Sequence, residues 1–200
     1  MKPNVSYVSY LLFTILLIQG GYFVWQSAWS EVFVVVAAFV LSTIPYLLRQ
    51  YYDVQMTEVA RTAIVFFTVC TLILGEIHSF YDIFPWWDIF LHLFSGVGLA
   101  VLGYTWLRQL IHQKLMQSRP IFHTIFVFST ASTVLLLWEV YEFIIDLLGW
   151  SANLMQPSLF DTMTDIVIGL AGVIVVCAYG YYVLAQQKQS LLTNPSGPKS

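Results

Sequence analysis

The 200 residues are 58% hydrophobic and only 10% charged, with a mean hydropathy of +0.75 and a formal net charge of −3. An ordinary soluble domain is about 45–50% apolar and about 25% charged, so water is not this chain's main solvent. No basic patch with interleaved aromatics points to nucleic acid. Cys70 and Cys177, both within apolar runs, read as small hydrophobes and not as a disulfide or metal pair.

Crossing ~30 Å of hydrocarbon takes about 20 apolar residues. Apolar runs between polar breaks predict helices at 6–25, 30–48, 59–77, 88–107, 121–147 and 161–184. The expected fold is therefore all-α, a polytopic bundle of six transmembrane helices forming one domain over 1–185. Residues 186–200, with Pro, Gly and Ser, read as a disordered cytoplasmic tail. Lys2 ahead of Tyr10–Ile18 imitates a signal peptide, but the apolar run continues through Gly20, Gly21, Phe23 and Trp25.

The lysines and arginines alternate between connections. They stand at Lys2, at Arg49 and Arg61, at Arg108, Lys114 and Arg119, and at Lys188 and Lys199, while the first, third and fifth connections have none. Cytoplasmic loops collect these residues, so both termini are expected inside. Trp25, Trp29, Trp86, Trp87 and Trp150 then mark the outer boundary, where an indole buries its ring and keeps its N–H wet.

On this topology only Asp53 and Glu58 of the eleven acids lie on the inner side. The others lie outside or in the outer halves of helices, most of them toward the outer ends of helices three to six. Asp88 and His92 are i, i+4, as are Asp161 and Asp165, and Glu139, Glu142 and Asp146 run i, i+3, i+7, so each set shares one helical face. Gly96, Gly169 and Gly172 continue the stripes with residues small enough for helices to meet closely. The acidic faces are thus expected to face one another and not lipid.

Helices three and four also resemble helices five and six. Glu76 followed by Phe80 matches Glu139 followed by Phe143, and Asp88, His92 and Gly96 match Asp161, Asp165 and Gly169. A parallel repeat of helices 3–4 and 5–6 would give a pocket with a Glu and an Asp-plus-His/Asp pair from each half, in outline like carboxylate bundles that hold two metals. Chance similarity competes with it.

Each position has a plainer reading. Asp88 and Asp161 suit helix starts, with Ser158 and Asp161 spaced as a capping box. Asp82 and Asp146 read as wetted interfacial acids, and His112 and His123 as inner-side polar residues. His92, Glu139, Glu142 and Asp165 resist such readings, because a charge a turn or more inside a span costs ~2.5–3.5 kcal/mol on insertion scales. Several close carboxylates stay ionised only if a cation or shared protons compensate them. Carboxylates with one imidazole suit zinc, manganese or iron. The expected metal-ligating set is His92, Glu142, Asp165, Asp88, Asp161 and Glu76, with Glu139 as catalytic base.

The order Trp87, Asp88, His92, Gly96, then Trp138, Glu139, Glu142, then Asp161, Asp165, Gly169 resembles the YjdF-like family of small bacterial inner-membrane proteins. The resemblance covers about helices three to six. It implies a six-helix inner-membrane protein and supports the choice of polar positions, but implies no reaction.

Three functions compete at this point. One is a metal-dependent hydrolase or transferase acting on a lipid or amphipathic substrate at the outer leaflet. Another is a small cation- or proton-coupled transporter, which needs polar groups along a route inward, with Ser129, Thr130, Ser132 and Thr133 the candidates. The third is a structural membrane protein whose acids only stabilise packing.

Overall fold

Hydroxyl residues and breakers at the ends of apolar runs set the elements of this computed structural model, which describes residues 6–52, 56–113, 119–149 and 154–193. Among the described residues there are helices and no strand: α1 (Tyr7–Trp25), α2 (Trp29–Tyr52), α3 (Glu58–Thr68), α4 (Phe80–Ile83), α5 (Trp87–His112), α6 (Pro120–Leu148) and α7 (Leu159–Thr193). Helix α3 runs on as a π-helix over Val69–Ile77. Six stretches are long and apolar enough to cross a membrane: Tyr7–Trp25, Trp29–Tyr51, Glu58–Ile77, Trp87–Ile111, Pro120–Leu148 and Leu159–Gln186. The expected all-α polytopic architecture is the observed one.

Local chemistry explains the ends. Ser6 caps α1 by accepting the Ser9 N–H at 3.1 Å, and Thr57 caps α3 through the Ala60 N–H at 3.1 Å. Pro120 opens α6, where its missing N–H costs nothing. Gly149, at φ +64°, closes α6 with its N–H turned back onto the Asp146 and Ile145 carbonyls. Helix α7 continues to Thr193, inside the stretch read as a tail, and residues 194–200 lie outside the described residues.

The chain divides into two compact units, Met1–Leu91 and His92–Ser200, and the division falls one turn into α5. In the first unit, Leu12 and Leu16 of α1 pack with Val35 and Ala38 of α2 and with Val65, Val69 and Ile73 of α3 and its π extension. A hydroxyl cluster pins the start of α1 to α3: Thr62 Oγ1 lies 2.7 Å from Ser6 Oγ and 3.1 Å from Ser9 Oγ. Trp87 departs from its expected wet boundary position. It is buried with Cys70 and Leu91 and meets the rings of Phe80, Trp86 and Phe90, Phe80 edge-on at 5.0 Å, because these rings offer it more contact than the interface does. Trp25, Trp29 and Trp86 are exposed, as a boundary belt requires, and Trp150 lies outside the described residues.

In the second unit Ala100 and Leu107 of α5, Val127, Ala131 and Leu135 of α6, and Val173 and Cys177 of α7 form one apolar layer. Both cysteines are free and buried, in keeping with their reading as small hydrophobes. The Tyr104 hydroxyl donates to the Cys177 carbonyl at 3.3 Å and pairs with Thr124 Oγ1 at 3.1 Å, tying the three helices at the end away from the acids.

His123, in the first turn of α6, is 7% exposed, and neither ring nitrogen has a hydrogen-bond partner among the described residues. An unsatisfied buried polar group costs about 1–3 kcal/mol, whereas an apolar group of similar size there costs nothing of the kind. His123→Leu is therefore expected to raise the thermal unfolding midpoint of the purified protein in detergent. A lower midpoint would show that the imidazole holds a partner.

Candidate metal centre

The geometry of the second unit follows from how closely α5 and α7 approach. A Cβ on Gly96 would overlap the Gly169 carbonyl oxygen, and one on Gly172 would stand 2.7 Å from the Leu93 carbonyl oxygen and 3.0 Å from the Val97 nitrogen. Only glycine fits such backbone-to-backbone contact. One turn from Gly96 is His92 and one turn from Gly169 is Asp165, so the contact that brings the backbones together also sets these two side chains opposite each other.

His92 (7% exposed) and Asp165 (4%) each offer a metal-ligating atom, and these atoms lie within 4.8 Å of one another. Helix α5 is continuous from Trp87, and Asp88, half-buried one turn before His92, offers a third ligand atom within 4.8 Å of the histidine's. At metal–ligand bonds of about 2.0–2.2 Å, two ligands of one ion stand at most ~4.4 Å apart, so small side-chain rotations suffice for closure. One imidazole with carboxylates is a donor set that zinc, manganese and iron accept.

Glu139 (6% exposed) approaches from α6, with Oε1 3.6 Å from His92 Nδ1. Its other oxygen accepts the Gln156 side-chain N–H at 3.2 Å, and the same amide donates to the Glu139 backbone carbonyl at 2.9 Å. Glu142 (8% exposed) is also buried, but its Oε1 accepts the indole N–H of Trp138 at 2.7 Å. The indole at i−4 on the same helix thus engages one of the two oxygens expected to bind metal.

Asp161 sits in the first turn of α7, where its backbone N–H donates to Ser158 Oγ at 3.1 Å. That is the capping arrangement read from the spacing, and the carboxylate stands near the positive end of the helix dipole. Glu76 belongs to the first unit, exposed in the π-helical segment. Its supposed counterpart Glu139 is buried in regular α-helix, so the two positions of the repeat differ locally.

Two residues of this site escaped the sequence reading. Asp146, read as a wetted acid, accepts the backbone N–H groups of Met155 and Gln156, both at 2.8 Å. Gln156 lies in an irregular connection with no periodicity to mark it. The i, i+7 spacing of Asp146 from Glu139 was its only trace.

The description "Predicted membrane protein (DUF2238)" belongs to a protein family that matches this chain over residues 3–186, which takes in all six spans and not only helices three to six. No curated protein and no solved structure matches the chain.

Proposed function

Since the chain belongs to the DUF2238 family of predicted membrane proteins, we propose that it is a multi-pass protein of the bacterial inner membrane whose second unit is a metal-dependent hydrolase or transferase. On this reading both termini are cytoplasmic, the six spans to about residue 185 act as one membrane domain, and the site opens at the outer leaflet onto a lipid-like substrate. The orientation is supported by the alternation of Lys and Arg between connections.

One observation carries the proposal: buried His92 and Asp165 present ligand atoms within 4.8 Å of each other, with a buried carboxylate oxygen of Glu139 at 3.6 Å from the imidazole. Uncompensated, such a cluster is costly in a low-dielectric span. His92 and Asp165, with Asp88, would hold a zinc, manganese or iron ion, which when bound lowers the pKa of a coordinated water. Glu142, Asp161 and Glu76 are weaker candidates, the first tied to Trp138 and the second to the start of its helix. Glu139 would take the proton of the attacking water as general base.

The transporter reading is disfavoured by the apolar layer of Leu107, Val127, Leu135 and Val173, which along α6 lies between His123 and the acids. Of its candidate relay groups, Thr130 donates back to the Phe126 carbonyl at 2.9 Å and Ser132 has no partner among the described residues. Metal analysis of the purified chain tests the proposal. About one divalent ion per chain is expected, and a chelator should lower the unfolding midpoint, because an ion bound only by the folded state stabilises it by mass action. A metal-free protein whose midpoint ignores the chelator would leave the acids a packing role.

A further inference from the structure

The connection between α6 and α7 ends in a local structure that reaches back to Glu139. Both oxygens of Asp146 are occupied by consecutive backbone N–H groups, those of Met155 and Gln156, each at 2.8 Å. A carboxylate gripping two successive amides fixes the backbone from which the Gln156 side chain extends. That side chain runs back along α6, where its Nε2 donates to the Glu139 carbonyl at 2.9 Å and to Glu139 Oε2 at 3.2 Å. With Oε2 held by Gln156, Oε1 lies 3.6 Å from His92 Nδ1, within ion-pair reach though longer than a hydrogen bond.

We propose that Asp146 and Gln156 are positioning residues of the metal centre, a relay from a clamped backbone through one amide to the carboxylate that orients His92. The proposal rests on the reading of His92 and Asp165 as cation ligands. Its chemistry is that of outer-sphere support: a ligating imidazole is held at its second nitrogen by a carboxylate, which is itself hydrogen-bonded, and loss of such partners costs metal affinity 10–100-fold. Pro157 and Ser158 follow directly, and Ser158 caps α7. The same clamp therefore couples the start of the helix that carries Asp165 to the helix that carries Glu139.

The test is titration of the full-length protein in detergent with Co²⁺, followed by its visible absorption, in wild type, Gln156→Met, Asp146→Asn and Glu139→Gln. Gln156→Met keeps side-chain length and the backbone clamp while removing the donor, so it separates positioning from folding. Both relay variants are expected to bind Co²⁺ about 10-fold or more weakly, with a changed absorption band and an unchanged final stoichiometry. In the Glu139→Gln background, Gln156→Met is expected to add nothing further, since both changes interrupt one chain of contacts. Wild-type affinity and spectrum in Gln156→Met, or a full additional loss in the Glu139→Gln background, overturns the relay while leaving the metal centre standing. No Co²⁺ binding by wild type overturns both together.

Discussion

His92→Ala is expected to lose at least ~100-fold in divalent metal affinity, about 2.7 kcal/mol, and to emerge from purification without its ion. The reason is compositional. His92 supplies the only imidazole in a group otherwise made of carboxylates, and one turn of helix separates it from the glycine contact that sets its height against Asp165. Asp165→Asn should lose metal comparably, since an amide oxygen is a neutral and weaker ligand. Glu139→Gln is expected to bind metal about 10-fold or more weakly, through loss of its hold on His92, and to abolish turnover of any substrate later identified even at saturating metal, because its proposed task is proton transfer. Elemental analysis of the three variants beside wild type checks this, and equal metal content in all four would remove the centre from consideration.

The largest loss of stability is expected from Gly96→Ala. A methyl group there has no space, because the Gly169 carbonyl oxygen already occupies it, and that oxygen is backbone within α7 and cannot rotate away. Either α5 and α7 separate or the chain does not fold, at a cost of about 3 kcal/mol or more, the upper range for overpacking. Gly98, two residues further along α5, provides the control. A Cβ there meets nothing, so Gly98→Ala is expected to be neutral or to stabilise by about 0.4–1 kcal/mol through the unfolded chain. Unfolding in mixed detergent measures both, and a tolerated Gly96→Ala would show that the two helices do not need this contact. Because the contact also sets His92 against Asp165, partial separation should weaken metal binding as well.

The site was legible to the extent that helical periodicity reaches. Spacings of i, i+4 placed His92 on the face of Asp88 and Asp165 on the face of Asp161, and the cost of burying charge in a span singled out His92, Glu139, Glu142 and Asp165, all four of which are buried. Periodicity does not distinguish which oxygen a neighbour will claim. Glu142 shares the buried face of Glu139, yet the Trp138 indole takes one of its oxygens, a pairing that depends on rotamers. Glu76 had the same local sequence pattern as Glu139, but a π-helical segment changes the angular position of everything after it, and nothing in the residue types announces that change.

By itself, then, the sequence determined the solvent, the six apolar spans, the all-α class and which charged groups are buried. These follow from transfer free energy and from a fixed rise of about 1.5 Å per residue, which are properties of single helices. Only tertiary structure decided that Gly96 meets Gly169, that Asp146 grips the connection ten residues onward and that Gln156 reaches Glu139. Those are relations between elements and across an irregular loop, where contact depends on packing in three dimensions and no repeat along the chain records it.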